Sequence, residues 1–188
     1  MIPGLTYLDD FLSPELETEL VGHIDAAPWL GDLKRRVQHY GYKYDYKARA
    51  VDESMFLGAL PEWAMSLGKG LVDRELFPTA PDQLIVNEYK PGQGISAHVD
   101  CEPCFQDAIA SITLGSGCTM DFTSVESGEK RSVFLQSRSI VVLTGESRYH
   151  WRHAIAARKS DVIDGQRVQR SRRISLTYRN VILKSCPV

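Results

Sequence analysis

A histidine and an aspartate separated by one residue, His98 and Asp100, are the first pair in this chain whose types and spacing could do chemistry. Side chains two residues apart on an extended backbone point to the same side, so an imidazole nitrogen and a carboxylate oxygen can reach one ion. Two histidines and one carboxylate on one face of a metal, with the other positions open, are the ligand set of non-haem Fe(II) oxygenases. The second histidine must come from elsewhere, and His150 and His153 are the candidates. On an extended segment these two point to opposite faces, so at most one of them faces the metal.

A second pattern places Arg173, Ser175 and Arg179 on one face of a β-rich segment. A buried guanidinium needs an anion, and arginine is suited to bidentate binding of a carboxylate. Two interpretations stay open at this point. The arginines form internal salt bridges, or they bind a dicarboxylate cosubstrate.

Two helices are predicted ahead of these segments. Ser13 is a good N-cap and Pro14 suits the first helical turn, so the first helix runs to about Ala27. The second begins at Pro61-Glu62 and ends before Pro78.

Short β-rich runs separated by turn residues dominate the chain from Gln83 onward. The runs are residues 84–89, 109–114, 118–123, 133–136, 140–144, 149–155 and 174–181. Asp164-Gly165 has the composition of a hairpin tip. This spacing is typical of an all-β barrel or sandwich, so we expect a mainly β fold with helices that buttress one of two sheets.

The composition is that of one compact domain: 188 residues with 43% hydrophobic and 24% charged residues. There is no run of about 18 apolar residues and no secretory pattern at the start, so we expect a cytoplasmic protein without a membrane partner. In that compartment the four cysteines are expected as reduced thiols, although the spacing of Cys101 and Cys104 leaves zinc or redox roles open.

Basic residues are clustered, with six in residues 34–49 and thirteen in residues 129–188. Such clusters attract polyanions, unless opposite patches face each other within the fold.

Within the first cluster Tyr40, Tyr42, Tyr44 and Tyr46 alternate, which gives one aromatic face on a strand. Aromatic rings beside cations hold flipped or single-stranded bases, and packing on the core is the alternative. The cluster in residues 129–188 is a candidate for contacts with backbone phosphates, through Arg148, Arg152, Arg158, Lys159, Arg167, Arg170 and Arg172.

Taken together, the motifs resemble the AlkB family of Fe(II)- and 2-oxoglutarate-dependent dioxygenases. The motifs are Asn87-x-Tyr89-x-Pro91-Gly92, His98-x-Asp100, Ile112-x-Leu114-Gly115-Ser116, Gly145-Glu146-Ser147-Arg148, His153-Ala154-Ile155 and Arg173-x-Ser175-x-x-x-Arg179. They span residues 87–179, about half of the chain. Within the family, two segments are most similar to the oxygenase domain of the animal tRNA wobble-uridine hydroxylases: the run from Arg35 to Tyr42, and the run from His98 through Leu114-Gly115-Ser116 to Asp121-Phe122.

The resemblance implies a single dioxygenase domain over residues 1–188. Residues 1–82 would hold the N-terminal helices and a nucleotide-recognition lid, and residues 83–184 a double-stranded β-helix, or jelly-roll, core. The implied iron ligands are His98, Asp100 and His153, where the choice of His153 depends on the sequence His153-Ala154-Ile155.

The resemblance also implies the cosubstrate contacts. Arg173 would pair with the distal carboxylate of 2-oxoglutarate, and Arg179 would support Asp100 and the carboxylate nearer the metal. The implied 2-oxoglutarate contacts are Asn87, Tyr89, Arg173, Ser175 and Arg179, and the expected substrate contacts are Arg35, Arg36, His39, Tyr40, Tyr42 and Glu102.

The expected function is therefore oxidation of an alkylated or modified nucleobase, with Fe(II) as cofactor and with O2 and 2-oxoglutarate as cosubstrates. The partner would be single-stranded DNA, RNA or tRNA, and the outcome would be demethylation, as in DNA repair, or stable hydroxylation, as in RNA modification. Two alternatives stay open: a protein or small-molecule hydroxylase of the same chemistry, and a non-catalytic β-barrel that only binds its ligand.

Overall fold

The computed structural model describes residues 2–31 and 34–183, so Cys186 and the predicted core boundary at residue 184 lie outside the described residues. The elements are, in chain order, β1 (Leu5–Leu8), α1 (Pro14–Ala26), β2 (Arg36–Tyr40), a short 3-10 helix (Glu53–Met55), α2 (Glu62–Asp73), β3 (Gln83–Tyr89), β4 (Ile95–His98), β5 (Ile109–Gly115), β6 (Cys118–Ser124), β7 (Lys130–Leu135), β8 (Ile140–Leu143), α3 (Gly145–Tyr149), β9 (Trp151–Ile155), β10 (Ser160–Ile163), β11 (Gln166–Gln169) and β12 (Arg173–Arg179).

The strands form two antiparallel sheets and a hairpin. The larger sheet has the order β1-β8-β5-β12-β3-β2, and the smaller has the order β4-β9-β6-β7. Strands β10 and β11 pair across the predicted Asp164-Gly165 tip. Side chains of both sheets, among them Val141 of β8 and Phe122 of β6, pack into one apolar cluster between them. The predicted mainly β fold with a jelly-roll core is therefore confirmed.

The two faces of the larger sheet differ in chemistry because side chains alternate along its central strands. In β12, Ile174, Leu176 and Tyr178 face a cluster that includes the two long helices, whereas Arg173 and Arg179 face the other way, into a cavity. Strand β3 alternates in the same manner. Because the apolar residues of β3 and β12 face the helices, the polar residues that alternate with them lie on the opposite face of the sheet.

Helices α1 and α2 cover the apolar face, as expected. The Ser13 hydroxyl accepts a hydrogen bond from the Leu16 amide, which caps α1, and Leu20 and Ile24 bury its inner side. The buried side-chain amide of Gln38 in β2 donates to the Ile24 carbonyl at 2.8 Å, which ties the helix end to the sheet. None of the helices within the described residues is long and apolar enough to cross a bilayer.

Two segments depart from the sequence-based expectation. The run expected as a strand from residue 149 begins at Trp151, because residues 145–149 form the helix α3 with a capping box between Thr144 and Ser147. The alternating tyrosines do not form one strand either, because β2 ends at Tyr40 and Gly41 adopts a φ of +77°.

Replacing Gly41 with alanine should destabilise the fold, because the new Cβ would lie 1.9 Å from the Asp82 carbonyl oxygen at a left-handed φ. We expect a loss of about 2 kcal/mol or more in the free energy of unfolding, measured by urea denaturation. Gly22→Ala on α1 is the matched control, since open space surrounds that position. It should stabilise the protein by about 0.5–1 kcal/mol. Equal effects of the two substitutions would contradict the strain at Gly41.

The β10–β11 hairpin is fastened by Asp161, which is 1% exposed and accepts hydrogen bonds from the guanidinium groups of Arg158 and Arg170. Burial raises the pKa of Asp161, but the bonds from Arg170 and Arg158 outweigh it and hold this pKa well below its usual value. A depressed pKa in the folded state stabilises the protein fully above the unfolded value of about 3.9, and this stabilisation is lost as the pH falls below it.

We therefore expect Asp161→Asn to destabilise the protein near neutral pH and by a smaller amount at about pH 3, where part of this stabilisation has been lost. The measurement is urea denaturation of both proteins between about pH 6 and pH 3, a range that reaches below the unfolded carboxyl pKa. Asp164→Asn at the exposed hairpin tip is the control, and it should leave the pH dependence unchanged. A constant difference between the wild type and Asp161→Asn across this range would refute the assignment.

Candidate metal centre and active-site cavity

A cavity of about 700 Å³ opens on the polar face of the larger sheet. Its wall combines inner-face residues of β3 and β12, residues of β4 and β9, and part of a segment that we call the lid, residues 41–57. The residues that carry its polar and aromatic lining are Lys34, Arg35, Tyr44, Tyr46, Arg49, Asn87, Tyr89, Ser96, His98, Asp100, Phe105, Ser111, His153, Arg173, Ser175, Thr177 and Arg179.

Three side chains in this wall come together as a metal-binding group: His98, Asp100 and His153. Their ligand atoms all lie within 4.8 Å of one another. The Asp100 Oδ1 atom is 3.2 Å from Nε2 of His98 and 3.7 Å from Nε2 of His153. No other group of three or more such side chains occurs in residues 2–31 and 34–183. His150, the other candidate, is exposed and lies just before β9.

A β-bulge sets the position of the first histidine. Strand β4 pairs with β9 through Ile95 opposite Ile155 and His98 opposite His153, so β4 contains one extra residue between these pairs. Without the extra residue the alternation would turn His98 to the other face of the sheet. The bulge therefore brings the two imidazoles next to each other, with ring centroids 4.4 Å apart and ring planes tilted by 56°.

The electrostatics of the site favour a charged carboxylate. Asp100 is 6% exposed, and the Arg179 guanidinium donates to its Oδ2 atom at 2.8 Å. Burial raises the pKa of Asp100, but the charge of Arg179 and the nearby imidazoles outweigh it and hold this pKa well below its usual value. Because Arg179 occupies Oδ2, the Oδ1 atom is left facing the two histidines.

The histidines present their Nε2 atoms in a form that can donate a lone pair. Burial lowers the pKa of His153 to about 4, so its ring is neutral near pH 7. The Nδ1 atom of His98 lies 2.8 Å from the Ser96 carbonyl oxygen. A carbonyl only accepts hydrogen bonds, so Nδ1 carries the proton and Nε2 stays free to bind a metal.

Arg173 supplies the positive charge on the other side of the cavity. It is 3% exposed, and its Nη2 atom donates to the Thr113 hydroxyl at 2.9 Å. Its Nε and Nη1 atoms are buried without a hydrogen-bond partner among the described residues, as is Nη1 of Arg179. Leaving such groups unpaired is costly, so their placement fits an anion that enters the cavity.

The remaining predicted cosubstrate residues surround Arg173. Tyr89 lies opposite Arg173 in the sheet register, and Ser175 lies opposite Asn87. The Tyr89 ring centroid is 5.4 Å from the Arg173 guanidinium carbon and 5.6 Å from that of Arg35. Arg35 also donates to the Asn87 side-chain oxygen at 2.7 Å. All five predicted 2-oxoglutarate contacts therefore line one cavity with the metal-binding group.

These residues fit Fe(II) and a dicarboxylate. The donor set of two imidazoles and one carboxylate suits a divalent metal with open positions. The unpaired N–H groups of Arg173 suit the planar geometry of a carboxylate. The internal salt bridge that was the alternative for Arg173 does not occur among the described residues.

The expected substrate contacts are only partly placed at the cavity. Of those six residues Arg35 lines it, whereas Arg36, His39, Tyr40, Tyr42 and Glu102 do not. Tyr40 packs edge-on against Trp63 of α2, and Tyr42 packs against Phe56. The turn at Gly41 is the physical reason, because it breaks the period of two. The tyrosines that reach the cavity are Tyr44 and Tyr46.

Three further residues predicted to contact the substrate lie outside the cavity wall, because of the direction or the exposure of their side chains. Arg36 points to the outer face of the sheet, where it pairs with Glu88 at 2.7 Å and lies over Trp29. His39 lies beside the Tyr46 ring, at 5.9 Å between centroids, outside the cavity wall. Glu102 is exposed in the turn that follows Asp100.

Much of the basic C-terminal cluster is used inside the fold rather than presented to phosphates. Arg158 and Arg170 pair with Asp161, and Arg172 pairs with Asp25 and Glu88. Arg148 is 2% exposed. Arg152, Lys159 and Arg167 remain exposed.

Arg148 holds the turn after Asp100 in place, a role that the sequence analysis missed. Its guanidinium donates to the backbone carbonyls of Asp100, Cys101 and Phe105 at 3.0–3.4 Å. Arg148 belongs to α3, directly before the strand that carries His153. It therefore links the segments of two metal-binding residues, and no periodicity in the sequence signals such a contact.

The same turn joins Cys101 and Cys104 in a disulfide, so the expectation of reduced thiols is wrong for this pair. The amide of Cys104 donates to the Cys101 carbonyl at 3.2 Å, and this tight turn brings the two Cα atoms to 5.2 Å. Cys118 is a buried free thiol. The zinc alternative is not supported, because no further metal-binding side chain joins the pair among the described residues.

Comparisons with known proteins agree with this geometry. A family model described as the 2OG-Fe(II) oxygenase superfamily matches residues 30–179. A protein of Arabidopsis thaliana named "Alkylated DNA repair protein ALKBH8 homolog" is 38% identical, over 98% of this chain and 60% of its own length. A protein of Xenopus tropicalis named "tRNA (carboxymethyluridine(34)-5-O)-methyltransferase alkbh8" is 39% identical, over 98% of this chain. The chain spans only 32% of that relative.

Solved structures share the fold at low identity. The structure titled "The structure of OsALKBH1" superposes with a TM-score of 0.76 and 17% identity, covering 96% of this chain and 98% of that one. A Pseudomonas putida prolyl-4-hydroxylase superposes with a TM-score of 0.60 and 16% identity, covering 97% of this chain and 94% of that one.

Replacing Arg148 with methionine should loosen the metal-binding turn, because three carbonyls lose a buried donor at about 1 kcal/mol or more each. We expect a loss of about 3 kcal/mol in the free energy of unfolding, together with weaker binding of Mn(II) measured by electron paramagnetic resonance. Arg152→Met, at an exposed position of β9, is the matched control and should change neither quantity. Unchanged Mn(II) affinity in Arg148→Met would exclude the positioning role.

Proposed function

Because the chain belongs to the 2OG-Fe(II) oxygenase superfamily, we propose that it is an Fe(II)- and 2-oxoglutarate-dependent dioxygenase that oxidises an alkylated or otherwise modified nucleobase of DNA or RNA. One observation carries the proposal: the buried, unpaired N–H groups of Arg173 face the same cavity as the His98, Asp100 and His153 group. One cavity thus contains a cationic group that can bind an anion and a ligand set that can bind a divalent metal.

His98, Asp100 and His153 would hold the metal, and Arg173, anchored by the buried Thr113 hydroxyl, would hold the distal carboxylate of 2-oxoglutarate. When bound, Fe(II) with 2-oxoglutarate and O2 supplies the oxidant that inserts one oxygen atom into a substrate C–H bond, with succinate and CO2 as the other products.

The protein supplies charge, geometry and exclusion of water. Arg179 keeps Asp100 ionised and fixes which of its oxygens faces the metal. Arg173 orients the cosubstrate from the far side, since its guanidinium is anchored by Thr113 and lies over the Tyr89 ring. Tyr44 and Tyr46 of the lid line the cavity, and their rings would exclude water from part of it when substrate is bound.

The cavity wall supports a nucleobase as the substrate. Tyr44 and Tyr46 contact each other edge-on at 5.0 Å and both line the cavity, with Arg35 and Arg49 beside them. Aromatic faces next to cations bind single bases that have left a stack. The plant and frog relatives, whose names refer to alkylated DNA and to a tRNA uridine, support the same substrate class.

The outcome depends on the bond that is oxidised. Hydroxylation of an N-linked methyl group gives a hemiaminal that releases formaldehyde and restores the base. Hydroxylation of a carbon-linked substituent gives a stable alcohol. The same residues serve both reactions, because they bind the metal and the cosubstrate rather than the substituent.

The test is mass spectrometry of nucleosides from RNA and DNA incubated with the protein, Fe(II), 2-oxoglutarate and O2. We expect one modified nucleoside to change in proportion to succinate, and neither change to occur with Asp100→Ala. Succinate formed equally by Asp100→Ala would exclude the metal site. Succinate formed only with peptides or small molecules would instead favour a hydroxylase of that class.

The role of Arg173 can be tested without turnover. Loss of a buried charge pair costs about 2 kcal/mol or more, so Arg173→Met should weaken 2-oxoglutarate binding roughly 30-fold or more. The readout is the visible absorption band that forms when 2-oxoglutarate is added to the Fe(II) protein without O2. Arg172→Met is the matched control, since this neighbour points to the outer face and pairs with Glu88 and Asp25. Equal affinity in both variants would contradict the assignment.

A further inference from the structure

A turn at the edge of the cavity brings three lysines together. It lies between β3 and β4, and the side chain of Gln93 organises it. The Gln93 Oε1 atom accepts a hydrogen bond from the Lys90 amide, and its Nε2 atom donates to the Lys34 carbonyl, both at 2.7 Å. One side-chain amide therefore fixes the backbone positions of two lysines that are 56 residues apart in the chain.

The third lysine comes from the segment after β9. The Gly92 amide donates to the Arg158 carbonyl at 3.2 Å. A Cβ on Gly92 would lie 3.9 Å from Cγ of Lys159, so the Lys159 side chain passes beside this turn. Lys34, Lys90 and Lys159 are all exposed, and we call them the basic rim.

The lysines of the basic rim have no acidic partners among the described residues, in contrast to several arginines of the same sheets and of the neighbouring hairpin. Arg36, Arg158, Arg170 and Arg172 each form an ion pair with a carboxylate. No ion pair involves a lysine of the basic rim in the part of the chain that the structure describes. The nearby Asp161 carboxylate is already occupied by two arginines. No carboxylate of the described residues neutralises the positive charge of the rim, so the rim can attract an external anion.

The position of the rim relative to the cavity indicates which anion this is. Lys34 lines the cavity, as does Gly94 of the turn that carries Lys90, so an extended ligand with one group inside can leave the cavity beside the rim. Lysines bind phosphates as point charges, without the planar geometry that selects a carboxylate. Several separated lysines suit a chain of phosphates, of which only the target nucleoside enters the cavity.

We propose that the basic rim binds the phosphodiester backbone of a single-stranded polynucleotide next to the nucleotide whose base occupies the cavity. This inference rests on the proposed function and adds the surface that holds the polymer. The contacts are made to phosphates, so they do not select the base sequence.

The experiment compares a double charge reversal on the rim, Lys90→Glu with Lys159→Glu, with one elsewhere, Lys69→Glu with Lys130→Glu. Both variants change the net charge equally, and the control positions are exposed on α2 and β7. The probe is a short fluorescein-labelled single-stranded RNA, or a DNA of the same sequence, and anisotropy is measured over a series of KCl concentrations. Thermal unfolding checks that each variant is folded.

Each phosphate contact to a single strand contributes about 0.7 to the slope of log affinity against log salt concentration. We therefore expect the rim variant to lower the magnitude of this slope by about 1.4 and to weaken binding for any base sequence. The control variant should keep the wild-type slope.

The outcomes separate the inference from the proposed function. Wild-type binding with the same slope in both variants would overturn the basic rim and leave the nucleobase substrate standing. Absence of salt-dependent binding to RNA and DNA by the wild type would overturn the substrate class as well. Displacement of the RNA by poly-glutamate without any salt-dependent preference for nucleic acid would assign the rim to acidic peptides and overturn the inference.

Discussion

The ion pair between Arg179 and Asp100 is the interaction on which the site depends. A buried carboxylate loses the solvation that water would give its charge, and by itself it would take up a proton. Arg179 reverses this preference, so an ionised oxygen faces the two histidines inside the protein. Without that charge the three side chains would lie close together but would not form a strong divalent-metal site. The cost of burying Arg179 is offset in turn by the carboxylate that it binds.

The larger sheet makes this arrangement possible by separating two kinds of side chain. Its outer face is apolar and packs against α1 and α2, so the alternate residues of β3 and β12 face inward whatever their polarity. Arg173 and Arg179 are six residues apart on β12 and therefore share the inner face. Arg148 and the bulge in β4 complete the site, because they fix the turn after Asp100 and the direction of His98. The scaffold thus determines the position of each charge before any ligand enters.

The sequence allowed a substantial part of the fold to be predicted. Ser13 and Pro14 mark the start of α1, and the residue types of β3, β5, β6 and β12 identify strands within one or two residues. Predictions from local sequence patterns were wrong where a contact between distant segments determines the backbone conformation. Gly41 turns the chain against the Asp82 carbonyl, so the alternating tyrosines separate into two sets, and only Tyr44 and Tyr46 reach the cavity. The disulfide between Cys101 and Cys104 was missed for a similar reason, since the expected compartment argued for thiols while the local turn brings the sulfurs together.

The chemical types of the site can be identified from the amino-acid sequence: a histidine and an aspartate two residues apart, a further histidine, and two arginines on one strand face. Spacing along one segment is a local property, so it fixes which residues of that segment point the same way. Spacing left His150 and His153 open and the family resemblance favoured His153, but the tertiary structure brings His153 to this pair and leaves Arg173 without an acidic partner among the described residues. It also decided that Arg36, Arg148, Arg170 and Arg172 serve the fold instead of a ligand. These outcomes depend on packing between segments far apart in the chain, and the energy of such contacts is absent from any local pattern.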